Sequence, residues 1–148
     1  MTRIPVSVVV VSRDRPDALR RCILGLSQVQ YDLFEIVVVA DPDGIAAVEG
    51  MDCSDDLKLV PFDEPNISEA RNAGVNMSAG DVVAFIDDDA VPEPTWLHYL
   101  CAPFEQADVA ATGGFVIGRN GISFQWKARM INGLGHAQVL DVPEDKAT

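Results

Sequence analysis

Ile4-Pro5-Val6-Ser7-Val8-Val9-Val10-Val11 decides the fold. Val8 to Val11 fill consecutive positions, so an extended backbone would carry hydrophobic side chains on both faces. A half-buried antiparallel strand alternates apolar with polar residues; this run instead suits a strand covered on both sides. The segment that follows opens a helix, with Asp14 expected as the N-cap and Pro16 in the first turn, where its missing N–H is harmless. Leu19, Cys22, Ile23 and Leu26 recur at i, i+3, i+4 and i+7, the spacing of a buried helical stripe.

The same rhythm continues along the chain. Phe34 to Ala40 reads as a second strand and Leu57 to Val60 as a short third. Asn66 and Glu69 have capping-box spacing ahead of Ala70, Gly74 and Met77, which predicts a further helix ended by Gly80. Val82 to Ile86 reads as a fourth strand. Trp96, Leu97, Leu100, Cys101 and Phe104 mark another helix face, and Val109 to Thr112 another strand. Strands alternating with helices predict an α/β fold, a mostly parallel sheet with helices on both faces. Ligands of such sheets collect at the carboxyl ends of the strands. That rim would gather Ser12, Arg13 and Asp14 with Asp41 and Asp43, and with Asp87, Asp88 and Asp89. Gly118 to His136 has two readings, an amphipathic helix covering the sheet or an apolar surface left exposed. Trp126 is either a ring-stacking platform or a core residue, and His136 either a metal ligand or a loop histidine.

With 148 residues, 48% of them hydrophobic, the chain is expected to form one domain over 1–148 with a core of its own. Eleven Lys and Arg against 23 Asp and Glu give a formal charge of −12, which argues against nucleic acid or an anionic membrane as the main partner. No apolar run approaches the roughly 20 residues of a membrane span, which leaves peripheral membrane association at most. The N-terminus has no signal-peptide pattern, and Cys22, Cys53 and Cys101 form no close pair, so a reduced, cytoplasmic protein is expected.

Phe85-Ile86-Asp87-Asp88-Asp89 runs from a buried strand straight into three carboxylates. In extended backbone, residues i and i+2 face the same way, so Asp87 and Asp89 would converge. Two like charges held that close are costly unless a cation sits between them or one is protonated, and oxygen ligands suit Mg²⁺ or Mn²⁺ with added water and phosphate. A solvated acidic turn is the alternative.

Context decides between them. Val6-Ser7-Val8-Val9-Val10-Val11-Ser12-Arg13-Asp14-Arg15-Pro16, then Ala70-Arg71-Asn72-Ala73-Gly74, Gly80-Asp81 and the aspartate triplet at this spacing together resemble family 2 glycosyltransferases over residues 4 to 118. The resemblance implies the GT-A fold and an enzyme that takes a sugar from a nucleotide-diphosphate sugar, usually with a divalent cation and with inversion. By position, Asp87 would face the ribose of the sugar donor, Asp89 would hold the metal at the diphosphate, and Asp88 would support both. Arg71 would lie by the nucleotide, and Asp41 would accept the ring N–H of the base, unless Ala40 takes that position and the contact is lost. Ser12 keeps the hydroxyl where the family often has Thr, and Asp14 shares its loop. Arg13 replaces the usual aromatic, so base stacking would be by guanidinium or absent. Asp43-Gly44 replaces the usual Gly-Ser turn.

Relatives in the family extend further, into an acceptor side that carries the general base of an inverting transfer. This chain is therefore expected to be a sugar-donor-binding portion, apparently truncated at the C-terminus, or a non-catalytic nucleotide-binding module. Glu144-Asp145 only superficially resembles the pair that holds the base. The acceptor is a saccharide, a lipid-linked sugar or another hydroxyl compound, which the residues do not choose between. Asp87-Asp88-Asp89-Ala90-Val91 also satisfies the nucleophile motif of haloacid-dehalogenase-like phosphatases. Those enzymes need a lysine and further groups downstream, where Lys127 and Lys146 are the sole lysines, so that reading is poor.

Overall fold

The computed structural model describes residues 4–52, 57–118, 122–126, 129–131 and 137–139, the side chains of the last three segments only at Ile122 and Ser123. The chain divides into two compact units, Met1–His98 and Tyr99–Thr148. The first unit holds a parallel sheet of β1 (Val6–Ser12), β2 (Phe34–Ala40), β3 (Leu57–Pro61) and β4 (Val82–Asp87) in the order β3-β2-β1-β4. The central β1 pairs on both edges, Val9 opposite Val37 on one side and Phe85 on the other. Val6, Val8, Val9 and Val10 are each no more than 1% exposed, as a strand covered on both faces requires. Burial of each such side chain contributes about 1.5–3 kcal/mol.

Three helices provide the cover: α1 (Pro16–Leu26), α2 (Pro42–Val48) and α3 (Ile67–Met77). α1 and α2 pack on each other, and α3 packs across β1 and β2, the arrangement expected of right-handed crossovers between parallel strands. The α3 face is a core of Val9, Val37, Val39 and Ala70, flanked by Val11, Val60, Phe62, Ala73 and Val83. Gly74 lets α3 approach β1 closely: a Cβ there would lie 2.5 Å from Val9 Cγ1.

Several local expectations are corrected. The N-cap of α1 is Arg15 rather than Asp14, because Asp14 takes the left-handed region at φ 57° and turns the chain before the helix begins. A helix, α2, stands where a loop was expected. Asp41 caps it by accepting from the Gly44 N–H, Pro42 opens it and Asp43 places a negative charge in its first turn. Asn66 caps α3 as the spacing predicts, accepting from the Glu69 N–H, but the helix ends at Met77 with Ser78 as its cap. Gly80 instead makes a close crossing: its N–H donates to Ser7 Oγ, and a Cβ there would lie 2.6 Å from the Ser7 amide nitrogen.

Beyond β4, α4 spans Trp96–Cys101 and continues as a 3-10 turn over Ala102–Glu105. The strand expected at Val109 to Thr112 is absent from that segment. The Val109 N–H turns back to the Gln106 carbonyl and the Thr112 hydroxyl donates to the Leu100 carbonyl, which bends the backbone out of a ladder. The strand lies later, as β5 (Val116–Ile117) antiparallel to β6 (Phe124–Trp126), with the Gly118 N–H donating to the Ser123 carbonyl between them. A second antiparallel pair joins β7 (Arg129–Ile131) to β8 (Ala137–Val139). Of the stretch Gly118 to His136 offered as an amphipathic helix, the described residues Phe124–Trp126 and Arg129–Ile131 are short strands instead. Cys53, Lys127, His136, Glu144 and Asp145 lie outside the described residues, as does the side chain of Trp126. Among the described residues no helix is long and apolar enough to cross a membrane.

Candidate functional site

The chain order reverses between β1 and β4, since β1, β2 and β3 progress one way and β4 returns to the other side of β1. At such a switch point the loops leaving the strand ends part and form a crevice. Ser12 to Arg15 leave β1 there, and Asp87 to Asp89 leave β4. Ser12 is buried, and its hydroxyl donates to Asp88 Oδ2 at 2.7 Å. The other oxygen of Asp88 lies 3.4 Å from Arg15 Nη1, which is also 3.5 Å from Asp89 Oδ2. From α3, Arg71 Nη2 reaches to 3.7 Å of Asp87 Oδ1, its guanidinium 5.9 Å from the Phe85 ring centre.

The three aspartates divide differently from the extended-strand expectation. The Ala90 N–H donates to the Asp87 carbonyl at 3.0 Å, so the backbone turns after Asp87 and the i, i+2 relation lapses. Asp87 is exposed beside Arg71, Asp88 is buried, and half-exposed Asp89 shares Arg15 with Asp88. Arg15 was not singled out from the sequence; its only signal was a place in the loop after β1.

Asp41 is buried, with both oxygens taken by backbone donors: Oδ1 by the Gly44 N–H at 3.0 Å and Oδ2 by the Asp14 N–H at 2.9 Å. It braces the rim, and any contact with a base would share those oxygens. Asp14 contributes its backbone to that brace while its exposed carboxylate lies 3.4 Å from Arg13 Nε. Arg13 Nη2 lies 3.5 Å from Asp63 Oδ1, and Arg13 Nη1 is buried without a hydrogen-bond partner.

Inside the rim lies a cleft of about 250 Å³. Val11, Val39 and Ala70 make its floor, Phe62, Pro65 and Ile67 its apolar wall, and Ser12, Arg13, Arg15, Glu64, Asn66 and Asp88 its polar edge. An apolar floor under a charged edge fits a flat ring carrying an anionic tail. Cys22 lies under the same rim, its Sγ 3.6 Å from the Asp87 carbonyl. Burial first, and then the charges of Asp88, Asp89 and Asp87, push its thiol up to about 12, so it stays protonated and is no nucleophile. Among the described residues no three His, Cys, Asp or Glu side chains gather closely enough to hold an ion alone. Asp89 and Asp87 are accessible, whereas Asp88 is committed to Ser12 and Arg15. One or two carboxylates suit Mg²⁺ or Mn²⁺, which complete their coordination with water and phosphate oxygens, so the donor set fits such a cation.

Comparison with known proteins gives this geometry a context. The profile of glycosyl transferase family 2 matches residues 7–144. A glucosyl-dolichyl phosphate glucuronosyltransferase of Haloferax volcanii is 32% identical over 120 residues, 78% of this chain and 38% of that protein. The O-antigen biosynthesis protein RfbC of Myxococcus xanthus is 31% identical over 117 residues, 73% of this chain and 9% of that protein. The chain thus spans well under half the length of these relatives. The crystal structure of S. aureus TarS 1-349 superposes with a TM-score of 0.62 at 21% identity, covering 69% of this chain and 32% of that one, and shares the fold.

Proposed function

The chain belongs to glycosyl transferase family 2, and from that premise we propose that residues 1–148 act as one module that binds a nucleotide-diphosphate sugar for transfer to a hydroxyl acceptor. The observation that carries the reading is the series Ser12, Asp88, Arg15 and Asp89 above an apolar-floored cleft at the switch point of the sheet. The base lies over Val11 and Val39, with Phe62 as the wall and the Arg13 guanidinium at the edge. Asp41 and the Asp14 amide set the height of the loop on that side. Asp87, exposed at the end of β4, faces the ribose, while Arg71 balances its charge and that of the diphosphate. Ser12 fixes the buried Asp88 and so the turn that presents Asp89. Asp89, with Asp87 as second carboxylate, holds Mg²⁺ or Mn²⁺. When bound, that cation neutralises charge on the departing diphosphate. Transfer proceeds with inversion, and its general base is assigned to no described residue.

Calorimetric titration with UDP, GDP, dTDP and CDP, with and without Mn²⁺, tests the reading. Metal-dependent binding of one nucleotide, abolished in Asp89→Ala, is expected. Failure of a chain shown to be folded by circular dichroism to bind any of them would overturn it. Binding without sugar transfer to any acceptor would favour a nucleotide-holding module.

A further inference from the structure

Arg15 stands between the acidic turn and the cleft. Its Nη1 is 3.4 Å from Asp88 Oδ1 and 3.5 Å from Asp89 Oδ2, and its side chain, 58% exposed, lines the cleft beside Ser12 and Arg13. Charge-assisted hydrogen bonds close to about 2.7–2.9 Å, so one nitrogen shared between two carboxylates at these distances is a loose pairing. The two carboxylates are unequal. Asp88 is 3% exposed and held by the Ser12 hydroxyl, whereas Asp89 is 47% exposed and meets Arg15 from the solvent side.

We propose that Arg15 is an exchangeable counter-ion of Asp89: it occupies the carboxylate in the free protein and releases it to the divalent cation when a diphosphate takes the guanidinium. The inference rests on the reading of the cleft as a nucleotide-sugar site. Its physical basis is the charge around the turn. Asp87, Asp88 and Asp89 face Arg15 and Arg71, which leaves one net negative charge. A divalent cation arriving alone at Asp89 meets a guanidinium on the same carboxylate, and the two like charges repel. A diphosphate changes that balance, because its paired oxygens match the planar fork of Arg15 better than one oxygen from each of two carboxylates. Arg15 then turns into the cleft it already lines, and Asp89 is free to ligate. Cation and diphosphate therefore bind cooperatively, and by linkage each strengthens the other to the same degree. Arg15 is a positioning residue in this scheme, acting through Asp89 before any bond to the sugar breaks.

The test is the affinity for Mn²⁺ alone, read from the free-ion signal in electron paramagnetic resonance, in the wild-type chain, Arg15→Gln, Arg15→Lys and Asp89→Asn. The same titrations are repeated with UDP, GDP, dTDP and CDP at saturating concentration. Arg15→Gln is expected to bind Mn²⁺ alone at least about fivefold more tightly than wild type, with the nucleotide enhancement reduced by a similar factor and the remainder owed to phosphate oxygens on the ion, on the scale of ordinary site coupling. Arg15→Lys keeps the positive charge and is expected to remain close to wild type. Equal or weaker Mn²⁺ binding in Arg15→Gln, with Asp89→Asn still losing the ion, would overturn the counter-ion role and leave the metal site intact. Mn²⁺ binding in no variant, even with nucleotide, would overturn the metal reading and the exchange together.

Discussion

Replacing Ser12 with alanine removes one hydroxyl from a place where water cannot substitute for it. The Ser12 Oγ to Asp88 Oδ2 distance is 2.7 Å, and the two residues are 4% and 2% exposed. A hydrogen bond to a charged group contributes about 1.5–3 kcal/mol, and loss of one partner leaves the other with its desolvation uncompensated. Arg15 reaches only the opposite oxygen of Asp88, at 3.4 Å, so it does not replace the lost donor. Ser12→Ala is therefore expected to destabilise the chain by about 2 kcal/mol. In urea unfolding followed by circular dichroism, with a slope of about 2 kcal/mol per molar, the midpoint falls by about 1 M at unchanged slope. The loss belongs to the pair, so in an Asp88→Asn background the same substitution is expected to cost less than about 1 kcal/mol. A loss under about 0.5 kcal/mol in the wild-type background, or an equal loss in both, would refute the assignment of Ser12 as the anchor of the acidic turn.

Gly80→Ala is expected to cost about 3 kcal/mol by the same assay, because the added Cβ meets backbone atoms of Ser7, Val6 and Pro5 at 2.6–2.9 Å that have no room to yield. Gly74→Ala is expected to cost less, since its closest obstacle is the Val9 side chain and alanine gains about 1 kcal/mol within a helix. The Glu35 carboxyl is raised by burial, but hydrogen bonds from Lys58, Ser7 and the Ala79 amide outweigh that and hold it below its ordinary 4.5. Its stabilisation is thus complete above the unfolded value and disappears as pH falls through the lowered folded value. Glu35→Gln is accordingly expected to flatten the pH dependence of stability below about pH 4.5, and an unchanged acid limb would sink that account. Cys22 is expected to resist iodoacetamide at pH 8 in the folded chain and to react once unfolded, as mass spectrometry of the peptide can show.

The sheet was legible wherever burial on both faces leaves an unbroken apolar run. Phe34–Ala40 matches its predicted bounds, and β4 exceeds its own by Asp87 alone. The capping of α3 by Asn66 was equally plain because the signal is local. The helix α2 escaped notice although Asp41, Pro42 and Asp43 are all strong starters, since seven residues give too few turns for a periodicity to show. Membership of the rim was also legible, as strand ends in a parallel sheet must meet. Pairings within it were not: the turn that separates Asp87 from Asp89 is set by one backbone hydrogen bond, and the Arg15 bridge depends on tertiary placement. The late strand at Val116–Ile117 was misplaced because a two-residue element carries almost no pattern.

The brace at Asp41 bears on how such a loop diversifies. Position 14 is recognised through its amide, while its side chain is 80% exposed. What the brace demands there is a left-handed backbone and not a particular carboxylate, so Asn and Gly meet the requirement as Asp does. Arg13 and Asp14 can therefore vary as a cassette between two fixed posts, Ser12 anchored to Asp88 and the Asp14 amide anchored to Asp41. Mutational drift or laboratory selection confined to those two side chains can re-tune what the cleft accepts while the sheet beneath keeps its register.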